Sequence, residues 1–280
     1  MNRVLAKRQL GPEVFLLEIE APRIQKRWKA GQFLIIRPLP TSERIPLTLV
    51  DSSAERGSIT IVIQAIGRTT KEAVELEPGD VMADVAGPLG EAASMSEGKR
   101  VVCMAGGVGV AEVLPVAKAF REHGNHVTCL CGARSDAYRI LDTELQGCVD
   151  VLQWATDDGT FGFHGNVLQL LNSIAKPGDF EIGHVIGPIP MMKAVANATK
   201  DWGLEHMYAS LNPVMIDGTG MCGGCRVTIG KEVKFACVDG PEFDAHLVDF
   251  DELARRNRAY RDQEQKALTD HVCHIGLAQA

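Results

Sequence analysis

The segment from Arg100 to Gly124 restricts the fold of this 280-residue chain strongly. The run RVVCMAGG has the composition of a buried strand and ends in glycines, and VGVAEVLPVAKAFREHG then shows helical periodicity. HVTCLCGAR, VDVLQWATDD and HVIGPIP are further strand patterns, and VLQLLNSIA is a helical pattern among them. Strands that alternate with helices form parallel sheets, so these residues predict an α/β domain of the kind that binds nucleotides.

The N-terminal third of the chain has a different pattern. VFLLEIEAP, QFLIIRPL, PLTLVDSS and SITIVIQAI are short apolar runs rich in β-branched residues, and Pro, Gly and Ser separate them. Several short strands at this spacing indicate a small antiparallel β-barrel. Because the chain is long for a single hydrophobic core, we expect a multidomain protein.

Composition excludes several classes of function. The formal net charge is −7 and no dense Lys/Arg stripe is present, so we expect no nucleic-acid partner. No stretch approaches the roughly 18 apolar residues of a spanning helix, and the N-terminal sequence resembles neither a secretory signal nor a membrane anchor. We therefore expect a cytoplasmic protein with no membrane contact. In that compartment, eight cysteines argue against a disulfide framework.

Three of those cysteines are clustered among glycines. Asp217 begins the stretch DGTGMCGGC, which contains Cys222 and Cys225, and eleven residues separate Cys225 from Cys237. Plant-type ferredoxins bind a [2Fe–2S] cluster through C-x4-C-x2-C and a distant cysteine, and here Asp217 stands in the first position. The glycines fit a loop whose NH groups point at cluster sulfurs. The sequence therefore predicts a cluster with Asp217, Cys222, Cys225 and Cys237 as metal ligands.

Other interpretations of the cysteines stay open. The fourth ligand could be another residue, such as a distant cysteine. C-x2-C is also zinc spacing, although no second C-x2-C or nearby pair of histidines completes such a site. The cysteines could also have a purely structural role. If Asp217 is a ligand, its harder carboxylate is expected to shift the reduction potential of the cluster and make it sensitive to protons.

The order of these parts resembles the electron-transfer subunits of the ferredoxin–NADP reductase-like family, over about residues 1–268. That family includes the electron-transfer subunit of dihydroorotate dehydrogenase and the small subunit of NADH-dependent ferredoxin–NADP oxidoreductase, also described as sulfide dehydrogenase. The resemblance implies an antiparallel β-barrel FAD domain, an α/β Rossmann-like nucleotide domain and a small C-terminal [2Fe–2S] loop domain. The expected boundaries are 1–97, 98–210 and 211–250, with a charged helix (251–268) and a tail completing 251–280.

Two motifs in the predicted barrel support FAD by resemblance. The family motif R-x-Y-S/T corresponds to RIPLT, where the arginine is displaced by one residue and a leucine replaces the aromatic residue. Thr48 takes the position of the hydroxyl that bonds the flavin ring near N5. The turn IGRTT corresponds to the family's pyrophosphate site at a helix N-terminus. The implied FAD contacts are Arg44, Pro46, Leu47, Thr48, Ile63, Gly67, Thr69 and Thr70.

Four motifs support a nicotinamide nucleotide. AGGVGVA lies between a strand and a helix, where glycines let the backbone approach a pyrophosphate. CGARSD, TDDG and GPIPM match family elements, although Ile186 stands where the family often has cysteine. Arg134 could pair with a 2′-phosphate and Asp136 would repel one, and the resemblance favours NAD(H) over NADP(H). The implied contacts are Gly106, Gly107, Val108, Gly109, Gly132, Ala133, Arg134, Asp157, Asp158, Gly187, Pro188 and Met191.

The resemblance implies an NAD(P)H-dependent flavin and iron–sulfur oxidoreductase subunit, which relays electrons between NAD(H), FAD and the [2Fe–2S] cluster. No Ser/His/Asp arrangement is evident, so no catalytic residue is assigned. The chain has no [4Fe–4S] cysteine set and no substrate domain, which implies a partner subunit. In the ferredoxin–NADP oxidoreductase type, that larger subunit carries a second flavin and [4Fe–4S] clusters. The resulting heterodimer bifurcates electrons, and ferredoxin is involved indirectly.

Asp217 and the charged segment 251–268 favour the ferredoxin–NADP oxidoreductase type. One alternative is the electron-transfer subunit of a dihydroorotate dehydrogenase, or of a sulfur reductase or hydrogenase. Another, outside redox chemistry, is a zinc-containing nucleotide-binding module that regulates a partner.

Overall fold

The computed structural model describes residues 2–278, with side chains described as far as Asp270. Within that part of the chain, the N-terminal domain is a six-stranded antiparallel sheet with the strand order β1-β2-β5-β4-β3-β6. Arg3 and Val81, which lie just before the edge strands β1 and β6, form a β-bridge. This bridge connects the two edges of the sheet, so the sheet curls towards a barrel. Its elements are β1 (Val4–Gly11), β2 (Val14–Glu20), α1 (Pro22–Gln25), β3 (Phe33–Arg37), β4 (Ile45–Ser53), β5 (Ser58–Gln64), α2 (Arg68–Glu75) and β6 (Asp84–Leu89).

Alternation along the strands explains the core of this domain. Leu17 and Ile19 of β2 are fully buried, as are Ile59, Ile61 and Ile63 of β5. Successive side chains of a strand point to opposite faces, so residues two apart share the inner face. The predicted antiparallel β domain is therefore confirmed.

The second domain is built on a parallel sheet. In the described residues, this sheet has the order β10-β9-β8-β7-β11-β12-β15, in which β15 (Glu242–Asp244) is the one antiparallel strand. Both faces of β7 are buried, which explains its continuous apolar run. The predicted strand–helix alternation is confirmed, while β10, β12, α4 and α6 had no predicted counterpart. The elements are β7 (Arg100–Gly106), α3 (Gly109–Glu122), β8 (His126–Ala133), a 3-10 turn (Asp136–Tyr138), α4 (Asp142–Gln146), β9 (Val151–Thr156), β10 (Phe163–His164), α5 (Val167–Ile174), β11 (Ile182–Ile186), α6 (Ile189–Ala198) and β12 (His206–Ser210).

The C-terminal segment joins this sheet. β15 pairs antiparallel with the edge strand β12, with Ala209 opposite Phe243. Cys225 and Cys237 are buried in the same core cluster as Ala209. The cysteine segment is thus packed as part of the α/β layer, and the predicted boundary at 210/211 stays a prediction. The elements are β13 (Arg226–Ile229), β14 (Glu232–Phe235), α7 (Ala236–Asp239), β15 (Glu242–Asp244), α8 (Phe250–Asn257) and α9 (Arg261–Ala278).

The expected single helix over 251–268 is two helices. Asp249 caps α8 by accepting from the Glu252 amide at 2.8 Å, and buried Phe250 and Leu253 fix the helix on the core. The chain turns at 258–260, and α9 then runs through residues for which a tail was predicted. The last two residues of that predicted tail lie outside the described part. Among the described residues, no helix combines the length and the apolar character needed to cross a membrane.

Candidate functional site

Two adjoining clefts lie between the β domain and the α/β domain. The larger, about 500 Å³, opens at the carboxyl ends of β7, β8, β9 and β11, and we call it the sheet-end cleft. The smaller, about 200 Å³, lies between β3, β4, β5 and helix α3, and we call it the interdomain cleft. Ligands of open α/β sheets bind outside the carboxyl ends of strands, where the strand order reverses; here that point lies between β7 and β11. Both clefts are lined by Gln64, Val108, Glu112, Ser210 and Asn212.

The glycine turn after β7 shapes the sheet-end cleft. A Cβ built on Gly106 would lie 2.5 Å from the Met191 sulfur, and one on Gly109 would lie 2.8 Å from the Ile186 carbonyl oxygen. Gly107 has φ +60° and open space around it. The turn therefore needs glycine both for close packing and for its left-handed backbone, which leaves room for a ligand over it.

Most of the predicted nucleotide residues lie in this cleft. Asp158 is the exception: it is exposed, and its carboxylate accepts hydrogen bonds from the hydroxyl and the amide of Thr160, which lower its pKa. The guanidinium of Arg134 lies 5.3 Å from the centre of the Tyr138 ring, so a planar cationic surface lines the cleft. The predicted residues that line it are Gly106, Gly107, Val108, Gly109, Gly132, Ala133, Arg134, Asp157, Gly187, Pro188 and Met191.

The predicted flavin residues divide into two groups. Pro46, Leu47, Thr48 and Thr70 line the interdomain cleft. The wall around them is mainly apolar, with a few polar groups, as is usual for a site that binds a flat ring. The structure does not bring Arg44, Ile63, Gly67 or Thr69 to the lining of either cleft.

Local structure explains those four positions. Arg44 is exposed just before β4. Ile63 is fully buried in the β-domain core, and alternation turns its neighbour Gln64 to the clefts instead. Gly67 caps α2, where its amide donates to the Thr70 hydroxyl at 2.8 Å. Thr69 is buried, and in the described residues its hydroxyl has no hydrogen-bond partner.

At the start of the cysteine loop, residues 217–225, the side chain of Asp217 contacts backbone amides of the same loop. The carboxylate of Asp217 accepts from the Thr219 amide at 2.8 Å and from the Cys222 amide at 2.7 Å. These bonds lower the pKa of Asp217, that from Thr219 most, so the side chain is an ionised potential ligand. Gly218 and Gly220 have φ +75° and +79°, which closes the loop tightly.

The other two cysteines form a second pair. The sulfurs of Cys225 and Cys237 lie 3.2 Å apart, and both residues are buried. Burial, with the neighbouring Cys225 thiol, raises the pKa of Cys237 to about 12. Binding of a metal as thiolate therefore requires loss of a proton here.

The way in which the four candidate ligands are paired indicates which metal group the loop fits. A [2Fe–2S] cluster with four protein ligands has two on each iron. The sulfurs of Cys225 and Cys237 are in contact, and the carboxylate of Asp217 lies beside Cys222, whose amide and side chain both bond it, so the four residues fall into two neighbouring pairs. A zinc ion instead gathers its ligands around one centre. Among the described residues, no three His, Cys, Asp or Glu side chains are placed to hold one ion. The donor set and its geometry thus fit a two-iron cluster better than zinc.

Known proteins resemble this chain in sequence and in architecture. The model of the iron–sulfur cluster binding domain of dihydroorotate dehydrogenase B matches residues 212–249. An uncharacterized protein of the adh 3′ region of Clostridium beijerinckii is 44% identical over 278 residues, covering 95% of this chain and 93% of its own length. A dihydroorotate dehydrogenase B (NAD(+)) electron transfer subunit homolog of Thermotoga maritima is 41% identical over 265 residues, with the same coverage of 95% and 93%. The chain belongs to this family of electron-transfer subunit homologues.

Solved structures agree with the family. This chain superposes on one chain of the structure of NADH-dependent reduced ferredoxin–NADP oxidoreductase, which was solved to understand flavin-based electron bifurcation. The TM-score is 0.91 and the sequence identity is 39%. The match covers 97% of this chain and 98% of that one. Phthalate dioxygenase reductase, at 17% identity and a TM-score of 0.62, shares the fold over 81% of this chain and 85% of its own.

Several residues that line the candidate sites of this chain were not predicted from the sequence. Glu112 had one detectable signal, because it is the single charged residue in the apolar run VGVAEVLPVA. Arg256 had none: it lies on α8, beyond the predicted cluster domain, and donates to the carbonyl oxygens of Gly223 and Gly224. The other lining residues with no predicted role include Gln64, Tyr138, Ser210, Asn212 and Met215.

Proposed function

We propose that this chain is an electron-transfer subunit that passes electrons between NAD(H), FAD and a [2Fe–2S] cluster, to or from a larger partner subunit. One observation carries the proposal: the three candidate sites are contiguous. The two clefts share lining residues, and Leu211, Asn212, Met215 and Pro241 of the cysteine segment form part of the interdomain cleft. A nucleotide, a flavin and a cluster bound at these places would be neighbours in that order.

The nucleotide is proposed to bind in the sheet-end cleft. Gly106, Gly107 and Gly109 let its pyrophosphate approach the backbone at the start of α3. The absence of a side chain at Gly187 keeps the backbone of β11 close to the turn. Arg134 and Tyr138 present a flat surface at the other end of the cleft, which suits an adenosine.

FAD is proposed to bind with its ring in the interdomain cleft and its pyrophosphate at α2. The N-terminal domain that would hold it is proposed to form a closed barrel. Bound FAD accepts two electrons from a nicotinamide and releases them one at a time. The chain's own residues would position the ring: Leu47 and Thr48 line the cleft, the first with an aliphatic side chain and the second with one that carries a hydroxyl. Residues 67–70 close the pyrophosphate end, where the buried Thr69 hydroxyl lacks a partner among the described residues.

The cluster is proposed to be held by Asp217, Cys222, Cys225 and Cys237. Cys222 is exposed while Cys225 and Cys237 are buried, so one side of the loop faces solvent and the other faces the protein. The exposed side is where a partner subunit would receive or deliver electrons. A cytoplasmic location stays a prediction.

We further propose that the partner carries flavin and [4Fe–4S] clusters, in a bifurcating NADH-dependent ferredoxin–NADP oxidoreductase. The similarity to a chain of that enzyme's structure, 39% identity over nearly the full length, supports this type. By contrast, the electron transfer subunit of Bacillus caldolyticus dihydroorotate dehydrogenase B is 28% identical to this chain over 251 residues, which is lower than the 39% identity to the oxidoreductase chain. Substitution of the first cluster cysteine by Asp217 also favours the oxidoreductase type.

Anaerobic purification followed by cofactor analysis tests the proposal. We expect one FAD, two irons and two acid-labile sulfides per chain, bleaching of the flavin absorption by NADH, and an EPR signal of a reduced [2Fe–2S] cluster. Cys225→Ser should lose the cluster but keep FAD, whereas Cys103→Ser, in the buried strand β7, should keep both. Stoichiometric zinc without flavin would overturn the proposal. Identification of the subunit that co-purifies distinguishes the two enzyme types.

A further inference from the structure

Glu112 occupies the junction of the two clefts. It lies in the first turn of α3, and it is the ionisable residue among the five that line both clefts. If a nicotinamide and a flavin exchange a hydride, their rings must touch where the clefts meet. Glu112, which lines both clefts, would therefore lie beside the reacting end of the nucleotide, whereas Arg134 lines the sheet-end cleft alone.

The surroundings of this carboxyl are unusual for a glutamate. In the part of the chain that the structure describes, no hydrogen bond or ion pair involves it. A carboxylate in the first turn of a helix is normally stabilised by the helix dipole, which lowers its pKa. Here burial outweighs that effect and raises the pKa of Glu112 to about 7. The side chain keeps part of its surface open to the clefts while the protein removes most of its water.

No neighbouring charge accounts for this pKa. Burial is its cause, and none of the groups on the packed elements adds an electrostatic effect. The titratable groups in the sheet-end cleft with Glu112 are Arg134, Tyr138 and Asp157. The elements that pack against α3 carry Asp51 on β4, Arg100 and Cys103 on β7, His126, Cys129 and Cys131 on β8, His184 on β11, and Asp142 and Glu144 on α4, and α3 itself carries Lys118, Arg121 and Glu122.

We propose that Glu112 couples protonation to the redox state of the bound nicotinamide: its ionised form favours the cationic ring of NAD+, and its neutral form favours the uncharged ring of NADH. The inference rests on the proposed function. Its physical basis is Coulomb attraction, which is strong at a site with little water. By linkage, NAD+ must in turn favour the ionised carboxylate, so NAD+ binding near neutral pH releases a proton.

The sign of the pH dependence follows. Below about pH 6, Glu112 is mostly neutral and NAD+ has no advantage; above about pH 8, it is mostly ionised and NAD+ is favoured. The ratio of Kd for NAD+ to Kd for an uncharged-ring analogue should therefore fall as pH rises. A coupling of one pKa unit corresponds to about a tenfold fall.

Calorimetry on the oxidised holoprotein tests this. The probes are NAD+ and 1,4,5,6-tetrahydro-NAD, whose ring is uncharged and does not reduce flavin. For the wild type, we expect the ratio of dissociation constants to fall about tenfold between about pH 6 and 8. Glu112→Gln should make the ratio constant. Glu122→Gln, the same substitution at an exposed position at the other end of α3, should keep the wild-type slope.

A second measurement does not depend on any variant. NAD+ binding at about pH 7 in buffers of different ionisation enthalpy should release a fraction of a proton, and the analogue should release none. A wild-type ratio that does not change with pH, or an unchanged slope in Glu112→Gln, would overturn the inference alone. Failure of both nucleotides to bind the flavin-loaded wild type would overturn the proposed function as well.

Discussion

Arg256 of helix α8 donates from Nη2 to the carbonyl oxygen of Gly224, 3.0 Å away, between Cys222 and Cys225. The same nitrogen lies 3.5 Å from the Gly223 carbonyl oxygen. The next residue, Asn257, donates from its side-chain amide to the carbonyl oxygen of Asn212 at 3.0 Å. One end of α8 thus holds both the loop and the beginning of the cysteine segment.

Replacement of Arg256 by methionine is expected to loosen the cysteine loop. The substitution removes charge-assisted hydrogen bonds and leaves carbonyl oxygens without a donor, at a cost of about 1–3 kcal/mol. The measurement is the rate at which a chelator bleaches the cluster absorption, which should rise about tenfold or more. Arg255→Met changes the exposed neighbour on the same helix and should bleach at the wild-type rate. Equal rates for both variants would contradict the role given to Arg256.

Replacement of Asp217 by cysteine is expected to raise the midpoint potential of the cluster. A hard carboxylate favours ferric iron more than a thiolate does. We expect a rise of at least about 60 mV, a factor of ten for one electron, together with loss of any pH dependence of the midpoint. EPR-monitored redox titration measures both quantities. An unchanged midpoint with an unchanged EPR signal would show that Asp217 is not a ligand.

Gly109→Ala is expected to distort the sheet-end cleft. The new Cβ would lie 2.8 Å from the Ile186 carbonyl oxygen, and backbone on both sides cannot yield without moving β11 away from α3. We expect destabilisation of roughly 1–3 kcal/mol and a loss of at least about tenfold in nucleotide affinity, with FAD retained. Gly147→Ala is the control, because its Cβ would meet only ordinary contacts at 3.5 Å in a right-handed helical conformation. Thermal unfolding and calorimetry measure the two effects. Normal nucleotide affinity in Gly109→Ala would contradict the placement of the nucleotide.

Met221→Asp is expected to weaken the complex with the partner subunit. Met221 precedes Cys222 and is 89% exposed, and Ile216 and Val238 are exposed apolar neighbours of the loop. A charge at the centre of an apolar contact loses affinity, here by at least about tenfold. Ile174→Asp, at the exposed end of α5, should bind normally. Analytical gel filtration of the reconstituted complex, with the cluster content of both variants checked, decides the result. Equal affinities would place the partner elsewhere.

Local patterns were sufficient for the glycine turn and the cysteine loop. The turn after β7 is readable because a buried strand, three glycines and a helix follow one another directly. Gly106 and Gly109 have close neighbours, and Gly107 has a left-handed backbone. The spacing of Cys222 and Cys225 is likewise a local property of a tight loop. The placement of Ile63 could not be read in this way, because the face of a strand that meets a cleft depends on how the sheet curls. Only the fold shows that Gln64 takes that position.

The sequence alone determined most of the elements, their order and the residue types of the candidate ligand set, since periodicity, glycine turns and cysteine spacing are local. The tertiary structure decided three relationships between distant residues. It paired β15 with β12, which fixed the cysteine segment on the α/β sheet. It brought Arg256 to the cysteine loop across a separation of 32 residues. It placed Glu112 where two clefts meet, and burial there, rather than any neighbour in the sequence, raises the pKa of its carboxyl group.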